Sequence, residues 1–193
     1  MMSSGNNIGI TRDEALSLLK EHIKNERTIS HCLASEAIMR ALARRFSQDE
    51  DLWGIAGLLH DLDYEIVHED EYTHGKVAAE MLGEKGCCEA LSDVIAKHNA
   101  EGLGLERTTQ FEHALTCAES ITGLITATAL VQPDKKLSSV KPKSVKKRMK
   151  QTAFARAVSR ERVLECENIG VPIAEFCALG VEAMQEIAED LGL

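Results

Sequence analysis

Between Gly54 and Glu65 the chain reads Gly-Ile-Ala-Gly-Leu-Leu-His-Asp-Leu-Asp-Tyr-Glu, so an apolar segment runs straight into an imidazole and a carboxylate. Trp53, Ala56, Gly57, Leu59 and His60 recur at steps of three and four residues, the period of a helix face. A helix apolar all round has no solvent side and must be enclosed by other elements. Such a helix normally ends in solvated polar groups. This one ends in His60 and Asp61, both usable as ligands for a borderline metal ion. The rest of the chain therefore has to wrap an apolar rod and receive what stands at its tip.

The wrapping reads as helical throughout. Aromatic residues make up 4% of the 193 residues, and alanine and leucine are abundant, which favours helix over sheet. Thr11 and Glu14 form a capping box before a helix over about 12–24, and residues 1–10 read as a frayed start. A second helix is expected over about 28–46, with His31 near its beginning. Asp49, Glu50 and Asp51 place acid in the first turn of the helix that carries the opening motif. Residues 62–72 read as an acidic loop. Thr73 is expected to cap a helix from His74 to about Gly83, followed by a helix over 88–98 that ends on His98. Residues 99–109 read as loop, and Gln110–Val131 as a long apolar helix with Glu119 in its middle. Segments 159–169 and 172–191, the latter with Pro172 at its first position, are the last helices. No strand-like alternation is present, so the expected fold is all-α, a single domain over 1–193.

Charge is unevenly distributed. Residues 135–160 carry ten of the 22 basic residues and none of the 31 acidic ones. The segment keeps helical spacing at Val145, Met149, Phe154 and Val158. It serves either as a solvated helix face, as a wall that draws a phosphorylated substrate towards an acidic protein, or as a nucleic-acid patch. For the last, Phe154 alone offers stacking, so nucleic acid is a weak expectation. No apolar run reaches membrane-spanning length, and no secretory signal stands at the amino end. The six cysteines lie in helical patterns without a Cys-x-x-Cys, so they are expected as reduced thiols in the cytoplasm.

His31, the His60–Asp61 pair, His74, His98 and Glu119 fall on five successive helices, at their ends or inside apolar stretches. This order resembles the HD-domain superfamily of metal-dependent phosphohydrolases, over about residues 28–130. The resemblance is most specific in Leu-Leu-His-Asp-Leu and in Ala-Glu-Ser-Ile-Thr-Gly-Leu, which looks like the family's Ala-Asp element. It implies an HD-domain helical bundle, here with a carboxyl-terminal helical extension over about 135–193. It also implies one or two divalent transition-metal ions (Fe, Mn, Co, Ni or Zn). His31, His60, Asp61 and Glu119 would hold the first, and Asp61 would bridge to a second held by His74 and His98. The implied reaction is hydrolysis of a nucleotide or other small phosphate ester by a metal-activated hydroxide.

Asp61, Asp63 and Glu65 are the candidate catalytic carboxylates, the latter two as proton donors or as acceptors that orient ligating histidines. Lys76 and Lys97 beside the presumed ligands, with Lys143 and Lys147 of the basic segment, are candidates for phosphate contact. His22, His68 and His113 are expected to stay outside the metal site, His113 at most in its outer shell. Glu119 stands where the family usually has Asp. Its extra methylene shifts the carboxylate by about 1.5 Å, which brings in a rival expectation: a metal- or nucleotide-binding protein without turnover.

Overall fold

The computed structural model describes residues 8–68 and 70–193. Among them are eleven α-helices and no strand. In chain order these are α1 (Arg12–His22), α2 (Glu26–Phe46), α3 (Glu50–Leu59), α4 (Lys76–Glu84), α5 (Glu89–His98) and α6 (Ala100–Leu103). They continue with α7 (Gln110–Leu130), α8 (Pro142–Met149), α9 (Arg160–Leu164), α10 (Ile173–Glu186) and α11 (Ala188–Leu191).

The apolar rod is α3, where every residue from Leu52 to Leu59 is buried. It starts sharply because the Asp49 carboxylate accepts the N–H groups of Asp51 and Leu52. The two 21-residue helices α2 and α7 enclose it, with α5 and α1 completing the wrap. The α2–α3 approach is backbone-close: a Cβ on Gly57 would lie 2.7 Å from the carbonyl carbon and oxygen of Ser35. Glycine there lets Ser35, one turn beyond His31, sit directly against the helix that ends in His60. The carboxyl-terminal helices share the same core: Val145, Val163, Phe176, Val181 and Met184 are buried in one cluster with Leu42, Leu58 and Ile125.

Several local expectations are corrected. Of the amino-terminal stretch, residues 1–7 lie outside the described residues, but Ile8–Ile10 are not frayed, since Cys88 N–H donates to the Ile8 carbonyl at 3.0 Å. Thr73 does not cap α4. Its hydroxyl bonds to Asp70, the helix begins at Lys76, and its cap is Gly75 at φ +84°. The buried Asp63 carboxylate caps α4 from a distance, accepting the N–H groups of Gly75 and Ala78 at 2.8 Å. The stretch 99–109 contains the short helix α6.

Within 135–159 only α8 is α-helical. Lys143/Lys147 and Lys146/Lys150 repel at i,i+4, and the chain leaves the helix after Met149. The irregular turn that follows is held by Arg160, whose guanidinium donates to the carbonyls of Gln151, Phe154, Ala155 and Val158. Residues 159–169 form α9 and a 3-10 turn over Glu165–Glu167. Pro172 is the N-cap of α10 and not its first residue, and the final helix is divided at Ile187 into α10 and α11.

Candidate metal centre

Each sequence-derived ligand arrives on a different support. His31 stands in the second turn of α2, and His60 is the C-cap of α3 with Asp61 immediately after it. His74 occupies the turn before α4, His98 is the last residue of α5, and Glu119 lies midway along α7. The fold brings all of them together in two groups. His31, His60 and Glu119 place donor atoms within 4.8 Å of one another, and so do Asp61, His74 and His98. Asp61 joins the two. Its Oδ2 is 3.6 Å from His31 Nε2, while its Oδ1 is 3.4 Å from His60 Nε2 and 3.3 Å from His74 Nε2.

The hydrogen bonds assign the tautomers. His60 Nδ1–H donates to the Gly57 carbonyl at 2.9 Å, and His98 Nδ1–H to the Ile95 carbonyl. His74 Nδ1–H donates to the Asp63 carboxylate at 2.8 Å. Thr122 gives its own hydroxyl hydrogen to the Glu119 carbonyl, so its oxygen accepts from His31 Nδ1–H at 2.8 Å. Every Nδ1 is thus committed as a donor, and every Nε2 points inward. His31 Nε2 and His60 Nε2 are 3.0 Å apart, as are His74 Nε2 and His98 Nε2.

With Nδ1 protonated on both rings, neutral His31 and His60 face each other lone pair to lone pair, a contact that a cation between or beside them relieves; in the His74/His98 pair a proton on His74 does so. Nitrogen ligands about 2.1 Å from one cation at a right angle would be about 3.0 Å apart. The donor set of imidazole and carboxylate matches divalent transition ions. The residues therefore fit the metal ions that the resemblance implies.

The electrostatics favour cations in the same place. Burial lowers the His60 pKa against the opposing pull of Asp61. Burial, with His60 and His74 acting in the same sense, holds His98 well below the usual histidine range. Both imidazoles are therefore available as neutral ligands at pH 7. Burial acts to raise Asp61, but His60, His74 and the other imidazoles outweigh it and hold its carboxyl well below the usual range. Burial also opposes a charge on His74, yet Asp61 and Asp63 raise it to about 9. Without a cation, His74 carries a proton between two carboxylates; a metal ion takes that position only by displacing the proton.

Asp63 is fully buried, and both its oxygens are occupied by His74, Gly75 and Ala78. Glu65 faces away: its Oε1 accepts the N–H groups of Lys24 and Asn25 and ties down the turn that leads into α2. Lys76 is exposed and 4.0 Å from Glu80. Lys97 is engaged by Glu112 at 2.7 Å. Lys143 and Lys147 are exposed on α8, and among the described residues neither bonds to a site residue. His113 pairs with Glu165 at 2.8 Å, not with a ligand.

Two contributors escaped the sequence reading. Thr122 orients His31, and its i+3 spacing from Glu119 was the available signal. Arg162 has its Nη2 3.1 Å from Glu119 Oε1, which also accepts from the Ser120 hydroxyl at 2.7 Å.

The HD-domain family model matches residues 28–158, about two thirds of the chain, and the chain belongs to that family. Its members as a class are metal-dependent phosphohydrolases. The chain is similar to an uncharacterized protein of Methanocaldococcus jannaschii, 34% identical over 99 residues, covering 49% of this chain and 57% of that protein. It is also similar to Ribonuclease Y 2 of Levilactobacillus brevis, 29% identical over 98 residues, covering 51% of this chain and 18% of that protein. The chain thus spans little more than half the length of the first relative and under a fifth of the second. No solved structure matches at a significant level.

Proposed function

We propose that this protein is a phosphohydrolase acting on a nucleotide or other small phosphate ester, with one or two divalent transition-metal ions at the His/Asp centre. The observation that carries the proposal is the convergence of four Nε2 atoms, each with its Nδ1 already committed, around the single carboxylate of Asp61. His31, His60 and Glu119 would hold one ion, His74 and His98 the other, with Asp61 shared between them. When bound, such ions would polarise a phosphoryl oxygen and acidify water near neutral pH.

The protein's own residues supply rigidity and charge. Gly57, Ile95, Thr122 and Asp63 lock the four rings, so no rotamer has to be selected when the substrate arrives. Asp63 acts in this scheme as a positioning residue for His74. The Asp61 carboxylate stays ionised to low pH and keeps the centre anionic until cations neutralise it. Six free thiols, four of them buried, favour a reducing compartment, and we place the protein in the cytoplasm. No helix among the described residues is long and apolar enough to cross a membrane.

A second reading, a binding protein without turnover, is favoured by one observation. The Glu119 carboxylate is already partnered by Arg162 and Ser120. Metal-loaded protein is to be assayed for phosphate release from nucleoside mono-, di- and triphosphates, sugar phosphates and an aryl phosphodiester. Hydrolysis of any of these that depends on the metal and is lost in Asp61→Ala supports the enzyme. Stoichiometric metal with no release from any ester, whichever metal is loaded, supports the second reading.

A further inference from the structure

Arg162 belongs to the segment beyond residue 158, where the family match ends, yet its guanidinium reaches the rim of the metal centre. Ser159 caps α9 and accepts from Arg162 N–H, which starts the helix at the right residue. The segment is then clamped from below. Arg107, 7% exposed at its side chain, makes a two-pronged pair with Glu165 at 2.8 and 3.0 Å. The same guanidinium also donates to the Lys97 carbonyl at 2.9 Å, and His113 closes on Glu165 from α7. With the backbone at 159–165 pinned on both sides, Arg162 Nη2 donates to the His98 carbonyl and forms an ion pair with Glu119 Oε1 at 3.1 Å. It touches one residue from each of the two ligand groups.

Only one of its three nitrogens is used in this way. Nε is buried without an acceptor, and among the described residues nothing accepts from Nη1. Nη1 is therefore the nitrogen left for a ligand, and arginine is the side chain whose planar guanidinium matches phosphate oxygens. The side chain is 27% exposed and lines a cavity of about 550 Å³ with Glu71, Asn99, Glu101 and Glu165. It is the only cation lining that cavity among the described residues. Glu71, Glu101, Glu161 and Glu165 make the rest of that lining acidic, so Arg162 is the one group in it that attracts an anion, and its Nη2 links the lining to His98 and Glu119.

We infer that Arg162 is a phosphate-binding residue of this site: its unengaged Nη1 N–H groups hold a non-bridging oxygen of the substrate while Nη2 stays against Glu119 and the His98 carbonyl. The inference rests on the phosphohydrolase reading for its substrate, but phosphate binding can be measured on its own.

The test is the affinity of metal-loaded protein for inorganic phosphate, by titration calorimetry, in the parent, Arg162→Ala, Arg162→Lys and Arg156→Ala. Arg156 is an exposed residue and controls for the loss of one positive charge. Metal content and melting temperature are measured for each. Arg162→Ala should weaken phosphate binding by about tenfold or more, as expected for loss of a charged hydrogen-bonding partner. Arg162→Lys should fall between it and the parent, because an ammonium keeps the charge and loses the fork. Arg156→Ala should match the parent, and metal content should hold in all four.

Phosphate affinity within twofold of the parent in a fully metallated Arg162→Ala overturns the inference. So does a loss of phosphate affinity that only tracks a loss of metal, since Arg162 would then serve Glu119 alone. The calorimetry stands apart from catalysis. A parent that hydrolyses no ester while Arg162→Ala loses phosphate refutes the activity and leaves the anion site in place. A parent that hydrolyses esters while Arg162→Ala binds phosphate normally refutes only the role of Arg162.

Discussion

Asp63→Asn separates what the buried carboxylate does for α4 from what it does for His74. Asp63 holds three donors at 2.8 Å: His74 Nδ1, Gly75 N and Ala78 N. Asparagine has the same shape and keeps one oxygen for the two backbone N–H groups, so α4 stays capped. Exchanging a charged acceptor for a neutral one there costs about 1–2 kcal/mol. The new NH2 group faces His74 Nδ1, and two donors cannot share that contact. His74 must shift its hydrogen from Nδ1 to Nε2, the atom that points at Asp61 and His98. A protonated Nε2 is no ligand.

Loss of such an orienting partner lowers metal affinity about 10- to 100-fold, or about 1.4–2.8 kcal/mol at about 1.4 kcal/mol per decade. Competition against a fluorescent chelator measures the affinity, and thermal melting of the metal-free protein checks the fold. Metal affinity equal to the parent's in a folded Asp63→Asn refutes the orienting role. A drop in turnover at unchanged metal affinity would make Asp63 a proton donor instead.

Two further predictions concern the scaffold. Gly57→Ala should destabilise the protein by about 2 kcal/mol through overpacking, because the new methyl would meet the Ser35 backbone at 2.7 Å. At roughly 2–4 °C per kcal/mol for a chain of this size, calorimetry should show a loss of roughly 4–8 °C; a rise, as helix propensity alone favours, would contradict the α2–α3 packing. Burial acts to raise the Glu112 pKa, but Lys97 and the N–H groups of Thr108 and Thr109 outweigh it and lower it to about 2. A depressed carboxylate stabilises the fold above its unfolded pKa and loses that contribution as pH falls through the folded value. At about 1.36 kcal/mol per unit the ceiling is about 3.4 kcal/mol, reduced to about 2 by solvent around the partly exposed Lys97. Glu112→Gln should therefore be less stable than the parent at pH 7, with the gap closing between about pH 5 and pH 2; a gap independent of pH would show that the charge is not responsible.

Features written into short stretches of chain were legible. The apolar rod ending in His60–Asp61 is readable because burial, period and ligand chemistry coincide within a dozen residues. The capping box at Thr11/Glu14 lies within one turn; the equivalent box at Thr109/Glu112 lies just as close in the chain and is missed where 99–109 reads as loop. The ligand groups could be read as a set because the helices that carry them are long and apolar, and the resemblance supplied their order. Contacts between distant segments were not legible. The cap of α4 comes from Asp63, a dozen residues upstream, and no local pattern announces a carboxylate that bonds both a histidine and a helix start. Thr73 drew the assignment because it stood in the customary place.

Arg162 was hidden for the same reason. It sits on a five-residue helix, and its partners at 98 and 119 belong to other elements. The basic stretch was legible as charge and not as a site. Its charge density suggests phosphate contact by Lys143 and Lys147, and both stand exposed on α8, which packs on α10 and α7.

The central claim is that Asp61 and the four histidines form a transition-metal centre, and elemental analysis of purified protein, with anomalous diffraction at the element's absorption edge, tests it most directly. The parent should carry up to two metal ions per chain, with two ions placing their peaks on either side of Asp61, about 3.5–4 Å apart. Asp61→Ala should lose most of that metal. Unchanged stoichiometry in a folded Asp61→Ala, or a parent that takes up no metal after loading, would contradict it.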